Sequence, residues 1–308
     1  MNFMHRFLCF LFVLLSTFAP VQASESHSRG AVGLLAGQVV AVSGSLIAKG
    51  PAENQIVLRV DSSSERFAGE SLAVIVREGD FRVYSLGTAV HGELSLGADA
   101  LELKQVWPND LNGRGIVQSV NHLLRLDTSS RGKFPFRSMG EFLPPFALYN
   151  QRGGVTQSAS LKGSYVVFNF IFTRCMLPTM CPLSTQKMRR LRSALSEQAD
   201  LAVQLVSVTL DPQYDTPGVF NEYAAAYQFS VTDIDFLTGP AQAVEDLKAQ
   251  LGVLAEPDEK LLVKHSMMVV VADPLGRIIY QIPGSGWSPQ DIMKKITAHA
   301  ASNYGDQI

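Results

Sequence analysis

The chain has 308 residues, 46% of them hydrophobic and 18% charged, which excludes a disordered protein and leaves room for two units of ordinary domain size. Its 26 basic and 28 acidic residues give a formal charge of −2, a balance that offers no footing for nucleic acid.

Residues 1–23 read as a secretory signal. Arg6 supplies the positive start, Phe7 to Ala19 form an apolar core, and Val21-Gln22-Ala23 is a small-residue cleavage site before Ser24. The core is short for a membrane span, which takes about 20 residues. The competing reading is an uncleaved anchor, and only then does the protein associate with a membrane. Either way the protein is expected to be exported, to the periplasm or an equivalent compartment. Of three cysteines, Cys9 lies in the signal core, so the mature chain keeps Cys175 and Cys181. In an oxidising compartment such a pair can form a disulfide, with no third thiol to scramble it.

Residues 36–107 carry an all-β pattern. Short runs at Gln38–Val42, Ser45–Ala48, Gln55–Val60, Ser71–Val76, Phe81–Leu86, Ala89–Leu96 and Leu101–Trp107 alternate with turn signals at Gly50-Pro51, Glu78-Gly79-Asp80 and Leu96-Gly97-Ala98-Asp99. That spacing fits a small barrel or sandwich, an OB-like barrel among them. The unit holds His91 but no cysteine or methionine cluster, so His91 reads as a surface strand residue. Residues 108–139 read as a connector, in which Gly115 to Leu126 fits a strand or one or two helical turns equally well.

From residue 140 to 308 strands and helices alternate. Leu143–Leu148 reads as an edge strand, because of its prolines, and Gln151–Gly154 as a hairpin turn. The strand Tyr165–Phe172 is followed by a helix from Pro182 to about Gln198, with Met188, Leu191 and Leu195 on its inner face. The strand Ala202–Leu210 precedes a helix capped by Thr216 and opened by Pro217, with Phe220, Tyr223 and Tyr227 on its apolar face. A short strand Ile234–Leu237, a helix from Pro240 to Leu251, a hairpin Met267–Ala272/Arg277–Ile282 turned by Asp273–Gly276, and a helix from Ser288-Pro289 complete an α/β layer pattern.

The chemistry gathers on the loop after Tyr165–Phe172. Cys175 lies in that loop and Cys181 directly before Pro182, at or near a helix N-cap, where the dipole and free N–H groups favour a thiolate. An inert structural bridge is the competing reading; strand-to-helix loops of α/β sheets are where ligands bind, which favours a working pair. His265 precedes the Met267–Ala272 strand; a capped turn is its plain explanation. Two cysteines and a histidine would make a soft, three-coordinate set suited to copper. Met176, Met180, Met267 and Met268 read first as packing, with the two loop methionines the better copper candidates. Lys187, Arg189, Arg190 and Arg192 read as a solvated face, and Asp211 and Asp215 as turn and cap residues. A peroxidase is disfavoured because no Pro-x-x-x-Thr-x-x-Cys arrangement surrounds either cysteine.

Four stretches together resemble the Sco/SenC family of thioredoxin-like proteins: Phe170–Cys175 with Cys181-Pro182; Ser207–Asp211 with Pro212–Pro217; Lys264-His265-Ser266; and Asp273–Arg277. The resemblance covers residues 143–300. It implies a thioredoxin fold, a mixed sheet flanked by helices, in which the His265 loop packs beside the cysteine loop. It also implies that Cys175, Cys181 and His265 bind copper, as Cu(I) or Cu(II), and that Cys175 and Cys181 form a redox dithiol that closes as the Cys175–Cys181 disulfide. The implied role is copper delivery to, or thiol reduction at, the binuclear copper centre of cytochrome oxidase. The implied partner is then its copper-bearing subunit or another thiol protein. The alternative is a general periplasmic thiol-disulfide oxidoreductase without copper delivery; if the protein is an enzyme, that is its class. The family pattern is Cys-x-x-x-Cys-Pro, whereas five residues separate Cys175 from Cys181 here, with Pro178 in the middle and no acid between them.

Overall fold

The computed structural model describes residues 34–35, 37–64, 67–196, 198, 201–258 and 262–305. The segment read as an export signal, residues 1–23, lies outside them. No helix among the described residues is long and apolar enough to cross a membrane.

Strands β1 (Val39–Lys49), β2 (Gln55–Ser63), β3 (Ser71–Ile75), β4 (Ala89–Leu96) and β5 (Leu101–Pro108) close into a barrel of order β1-β2-β3-β5-β4. Helix α1 (Glu78–Val83) lies between β3 and β4, and β3 runs parallel to β5. This is the OB-like topology. Alternating residues such as Val40, Val42, Leu58, Val74, Val90, Leu94, Leu103 and Val106 fill its interior.

The barrel departs from its sequence pattern at two places. The runs 38–42 and 45–48 are one strand, β1, bent by register shifts at Ser43/Gly44 and Leu46/Ala48. Gly44 permits this, since a Cβ there would sit 2.2 Å from the Arg59 carbonyl oxygen. The segment 81–86, with the turn before it, is not a strand; residues 78–83 are helix α1. Its local alternation gives way to tertiary contacts: the Gly79 N–H donates to Glu222 Oε1 at 2.9 Å, Arg82 Nε to Asn221 at 2.9 Å, and Lys49 stands 3.9 Å over the Phe81 ring.

The undecided segment 115–126 belongs to the long helix α2 (Leu111–Ser130), opened by Asp110, whose side chain accepts from the Gly113 N–H. Beyond it, β6 (Ala147–Asn150), β7 (Val155–Gln157), β8 (Tyr165–Ile171), β9 (Val203–Thr209), β10 (Asp235–Thr238), β13 (Met268–Ala272) and β14 (Ile278–Pro283) form one sheet of order β14-β13-β8-β9-β10-β6-β7. A separate hairpin joins β11 (Ala255–Asp258) and β12 (Leu262–His265). The sheet's helices are α3 (Cys181–Leu195), α4 (Pro217–Ala226), α5 (Ala241–Gln250) and α6 (Pro289–Gly305). Strands β8, β9 and β10 run parallel through α3 and α4, with β13 and β14 antiparallel beyond β8, which is the thioredoxin-like arrangement. The expected edge strand at 143–148 starts later, at Ala147, and lies inside the sheet between β10 and β7, because Pro144 and Pro145 precede the paired residues.

β8 is buried on both faces, as a central parallel strand should be. Phe220, Phe229, Phe236 and Tyr223 pack as a ring cluster with centroids 5.4–6.5 Å apart, anchoring α4 to β10.

Helix α1 of the barrel crosses α4 of the sheet so closely that a Cβ on Gly79 would sit 2.0 Å from the Gly218 carbonyl oxygen. Buried in that crossing is Asp80, whose Oδ1 has no hydrogen-bond partner among the described residues. Burial, aided by Glu222 and opposed by Arg77, raises its carboxyl from 3.8 to about 7. A carboxyl raised on folding stabilises the fold fully below about pH 3.8 and loses that contribution as pH rises through about 7. The gap corresponds to about 4 kcal/mol. Urea denaturation of wild type and Asp80→Asn at pH 5 and pH 8 is expected to show the wild type losing more stability over that range. Asp215, raised in the same direction, contributes equally to both proteins, so the difference belongs to Asp80. Equal losses would show that Asp80 is ionised throughout.

Candidate metal and dithiol site

The parallel strands β8, β9 and β10 end at one edge of the sheet, and the candidate residues gather there. From β8 the chain passes through buried Phe172 to Thr173, Arg174 and half-buried Cys175, then turns through Met176–Met180 into α3. Cys181 is the first residue of α3 and fully buried; Met180 takes the N-cap position without a side-chain cap. Both cysteines are thiols, and the Cys181 sulfur is hydrogen-bonded with Cys175 and receives the Phe172 backbone N–H.

The helix N-terminus does not make Cys181 a ready thiolate. Burial pushes its thiol well above the ordinary range, and the neighbouring Cys175 and Asp215 push it further; the Phe172 N–H alone pulls the other way. Desolvation outweighs the dipole because the sulfur is shut off from water. Cys175, packed against the core yet partly exposed, is the sulfur an incoming group can reach.

The loop is held by residues that sequence reading took for turns and caps. Asp215, buried, accepts from the Thr173 hydroxyl at 2.5 Å, the Thr209 hydroxyl at 2.7 Å and the Thr173 N–H at 3.3 Å. Burial first, then Asp211, raises its carboxyl to about 7 against those hydrogen bonds. Asp211 pairs with Arg174 at 2.5 Å, and that guanidinium lies 4.2 Å over the Tyr214 ring. Behind the loop, Ser207 donates to Asn169 at 2.5 Å and Asn169 to Ser184 at 2.8 Å, tying β9, β8 and α3 together in the core. Single polar residues set inside otherwise apolar strands, Asn169 in β8 and Ser207 in β9, were the available signal for these anchors.

Met176 is 88% exposed, so the packing expected of it does not hold; the loop carries it outward. Met180, Met267 and Met268 are half-buried. In the basic run, Lys187 donates to the Ser285 and Trp287 carbonyls at 2.5 and 2.7 Å, and Arg192 pairs with Asp233 at 3.1 Å. Half of that face is therefore structural rather than solvated, while Arg189 and Arg190 are exposed.

The backbone places His265 at the end of β12, opposite Ala255 and three residues before β13; its side chain lies outside the described residues. Since β13 pairs antiparallel with β8 in the register Val269↔Asn169, the chain leaving His265 enters the sheet beside the carboxyl end of β8. The hairpin was not foreseen, because Pro257 and the charged residues around it carry no strand pattern.

Comparison with known proteins gives a consistent result. The SCO1/SenC family model matches residues 136–301. A "SCO1 protein homolog" of Bacillus subtilis (strain 168) is 32% identical over 150 residues, covering 48% of this chain and 76% of that protein. "Protein SCO1, mitochondrial" of Saccharomyces cerevisiae is 26% identical over 164 residues, covering 51% of this chain and only 54% of its own length. Among solved structures, a SCO1/SenC family lipoprotein from Bacillus anthracis is 27% identical with a TM-score of 0.48, covering 54% of this chain and 99% of that one. Yeast Sco1 with copper bound is 27% identical with a TM-score of 0.45, covering 54% and 90%. With its thiol pair on the strand-to-helix loop and the family model matched from the end of the connector to the last helix, the chain belongs to the SCO1/SenC family.

Proposed function

We propose that this is an exported copper-binding protein that serves assembly of the binuclear copper centre of cytochrome oxidase, by delivering copper or by reducing a disulfide there to its thiols. The observation that carries the proposal is the hydrogen-bonded pair Cys175 and Cys181 at the sheet edge that the His265 hairpin enters. Two thiolates and an imidazole form a soft donor set that suits copper in either oxidation state. Relatives solved with copper support the choice of metal: the yeast Sco1 structure and one of ScoI from Bradyrhizobium japonicum. Copper is here the cargo. Cys175 is the donor open to exchange, Cys181 the donor fixed in the core, and His265 the third donor, carried on its own hairpin. The expected partner is the copper-bearing oxidase subunit or another thiol protein. Residues 1–23 would direct export, with membrane attachment only if they stay on.

Reconstituting the mature protein with copper tests this. About one copper per chain is expected, with Cys175→Ala abolishing binding and His265→Ala weakening it. A stoichiometry near zero, or binding unaffected by Cys175→Ala, removes the proposal.

A second reading, a thiol-disulfide oxidoreductase, is favoured by the contrast between a reachable Cys175 and a buried Cys181. The Cys175 thiolate would attack a client disulfide and release one client thiolate. Cys181 would then displace the other, leaving Cys175–Cys181 oxidised and the client reduced by two electrons. Turnover on a disulfide substrate that survives His265→Ala, with copper binding lost, would separate this role from the first.

A further inference from the structure

A cleft runs along the seam between the barrel and the sheet, at the carboxyl end of β10, and nothing in the copper or thiol chemistry uses it. It has two neighbouring parts. The larger, about 490 Å³, is lined mostly by apolar and aromatic surface: Trp107 of β5, Val117 of α2, Tyr149 of β6, and Pro240 and Ala243 at the start of α5. The Trp107 and Tyr149 rings pack on each other, centroids 6.3 Å apart at 57°, and form one aromatic wall of the cleft. The smaller part, about 430 Å³, lies on the barrel surface beside Val42, Ser43, Ser62, Ser64 and Asn109. His91 and Arg114 line both parts and so stand at the junction.

The charges at the junction choose the ligand. Arg114 forms no ion pair among the described residues; one of its N–H groups is held by Asn109 Oδ1 at 2.7 Å, which aims the guanidinium without neutralising it. Nearby Asp110 spends its Oδ1 on the Gly113 N–H at 2.6 Å, as the cap of α2. Asp246, the one carboxylate lining the apolar part, is paired with Arg125 at 2.8 Å and receives Gln242 at 3.3 Å. Burial, then Arg114, lowers the His91 imidazole from its ordinary value, so at neutral pH it stands there as an uncharged donor and acceptor. A cavity of this size and make-up, at a junction between two folded units and outside the carboxyl ends of parallel strands, is where small ligands bind.

We propose that this seam is a binding site for an amphipathic organic anion, with a flat apolar body laid against the Trp107 wall and a carboxylate or similar oxyanion head on Arg114 and His91. The site is separate from the thiol pair and lies two strands along the same sheet edge, so it stands or falls independently of the copper reading.

The probe is 2-naphthoate, with uncharged 2-naphthamide as its neutral counterpart. Binding is measured by calorimetry on the full mature protein and followed by quenching of indole fluorescence. The chain has two tryptophans, and Trp287 is buried elsewhere, so the quenching reports Trp107. Saturable binding of one naphthoate is expected, at least about tenfold tighter than naphthamide. Arg114→Gln, an exposed helix position, should equalise the two ligands while leaving circular dichroism and the reactivity of Cys175 unchanged. Trp107→Ala should weaken both ligands together. No saturable binding, equal affinity of acid and amide for the wild type, or an undiminished preference in Arg114→Gln would overturn the proposal.

Discussion

Cys181→Ser is expected to lower copper affinity by at least about a thousandfold, some 4 kcal/mol, while the fold survives. A hydroxyl is a hard donor that holds its proton, so it cannot replace a thiolate on a soft metal. The site is nonetheless suited to it sterically, because the Phe172 N–H and Cys175 already provide polar contacts for the atom at that position. A buried hydroxyl with partners costs only about 1 kcal/mol of stability. Copper titration against a competing chelator, beside urea denaturation of the apo protein, separates ligand loss from unfolding. Affinity within tenfold of the wild type would mean that Cys181 is a packing residue and the two-sulfur pocket is wrong.

Gly79→Val is expected to separate the barrel from the sheet. The obstacle to a side chain is the carbonyl oxygen and carbon of Gly218, 2.0 and 2.7 Å from the would-be Cβ, and backbone in the first turn of α4 cannot swing aside. The reciprocal position is as tight, since a Cβ on Gly218 would lie 2.0 Å from Asp80 Oδ1. Moving α1 away also breaks the Gly79 bond to Glu222, the Arg77–Glu222 pair at 3.3 Å and the Arg82–Asn221 bond. Overpacking alone costs about 1–3 kcal/mol, and lost contacts add to it. Calorimetry should show one unfolding transition in the wild type and two in the variant, with faster protease cleavage between residues 108 and 139. A single unshifted transition would show that the crossing yields more easily than its geometry allows.

Much of the sheet was legible in the sequence, and for identifiable reasons. β8 and β9 are long apolar runs, and α4 announces itself through Thr216, which caps the Val219 N–H, and Pro217. The barrel strands β4 and β5 were equally plain because one face is wet and one dry. Legibility failed wherever a distant residue supplied the stabilising contact. Helix α1 is six residues long and depends on Glu222, 143 positions away, for its first N–H bond. The cysteine pair was visible as a motif, but the environment of Cys181 was not, since burial is a property of the assembled core. Asp215 was likewise read as a cap; that it ties Thr173 to Thr209 beneath the thiol loop follows only from the return of β9 beside β8.

The barrel is seated beside the thiol loop. Arg77 of the barrel reaches the Tyr214 hydroxyl at 3.3 Å, and Tyr214 in turn lies under the Arg174 guanidinium of the thiol loop. On the proposed function, the additional unit would stand as a blinker beside the thiol loop, narrowing the orientations in which another protein could present its own sulfur or metal.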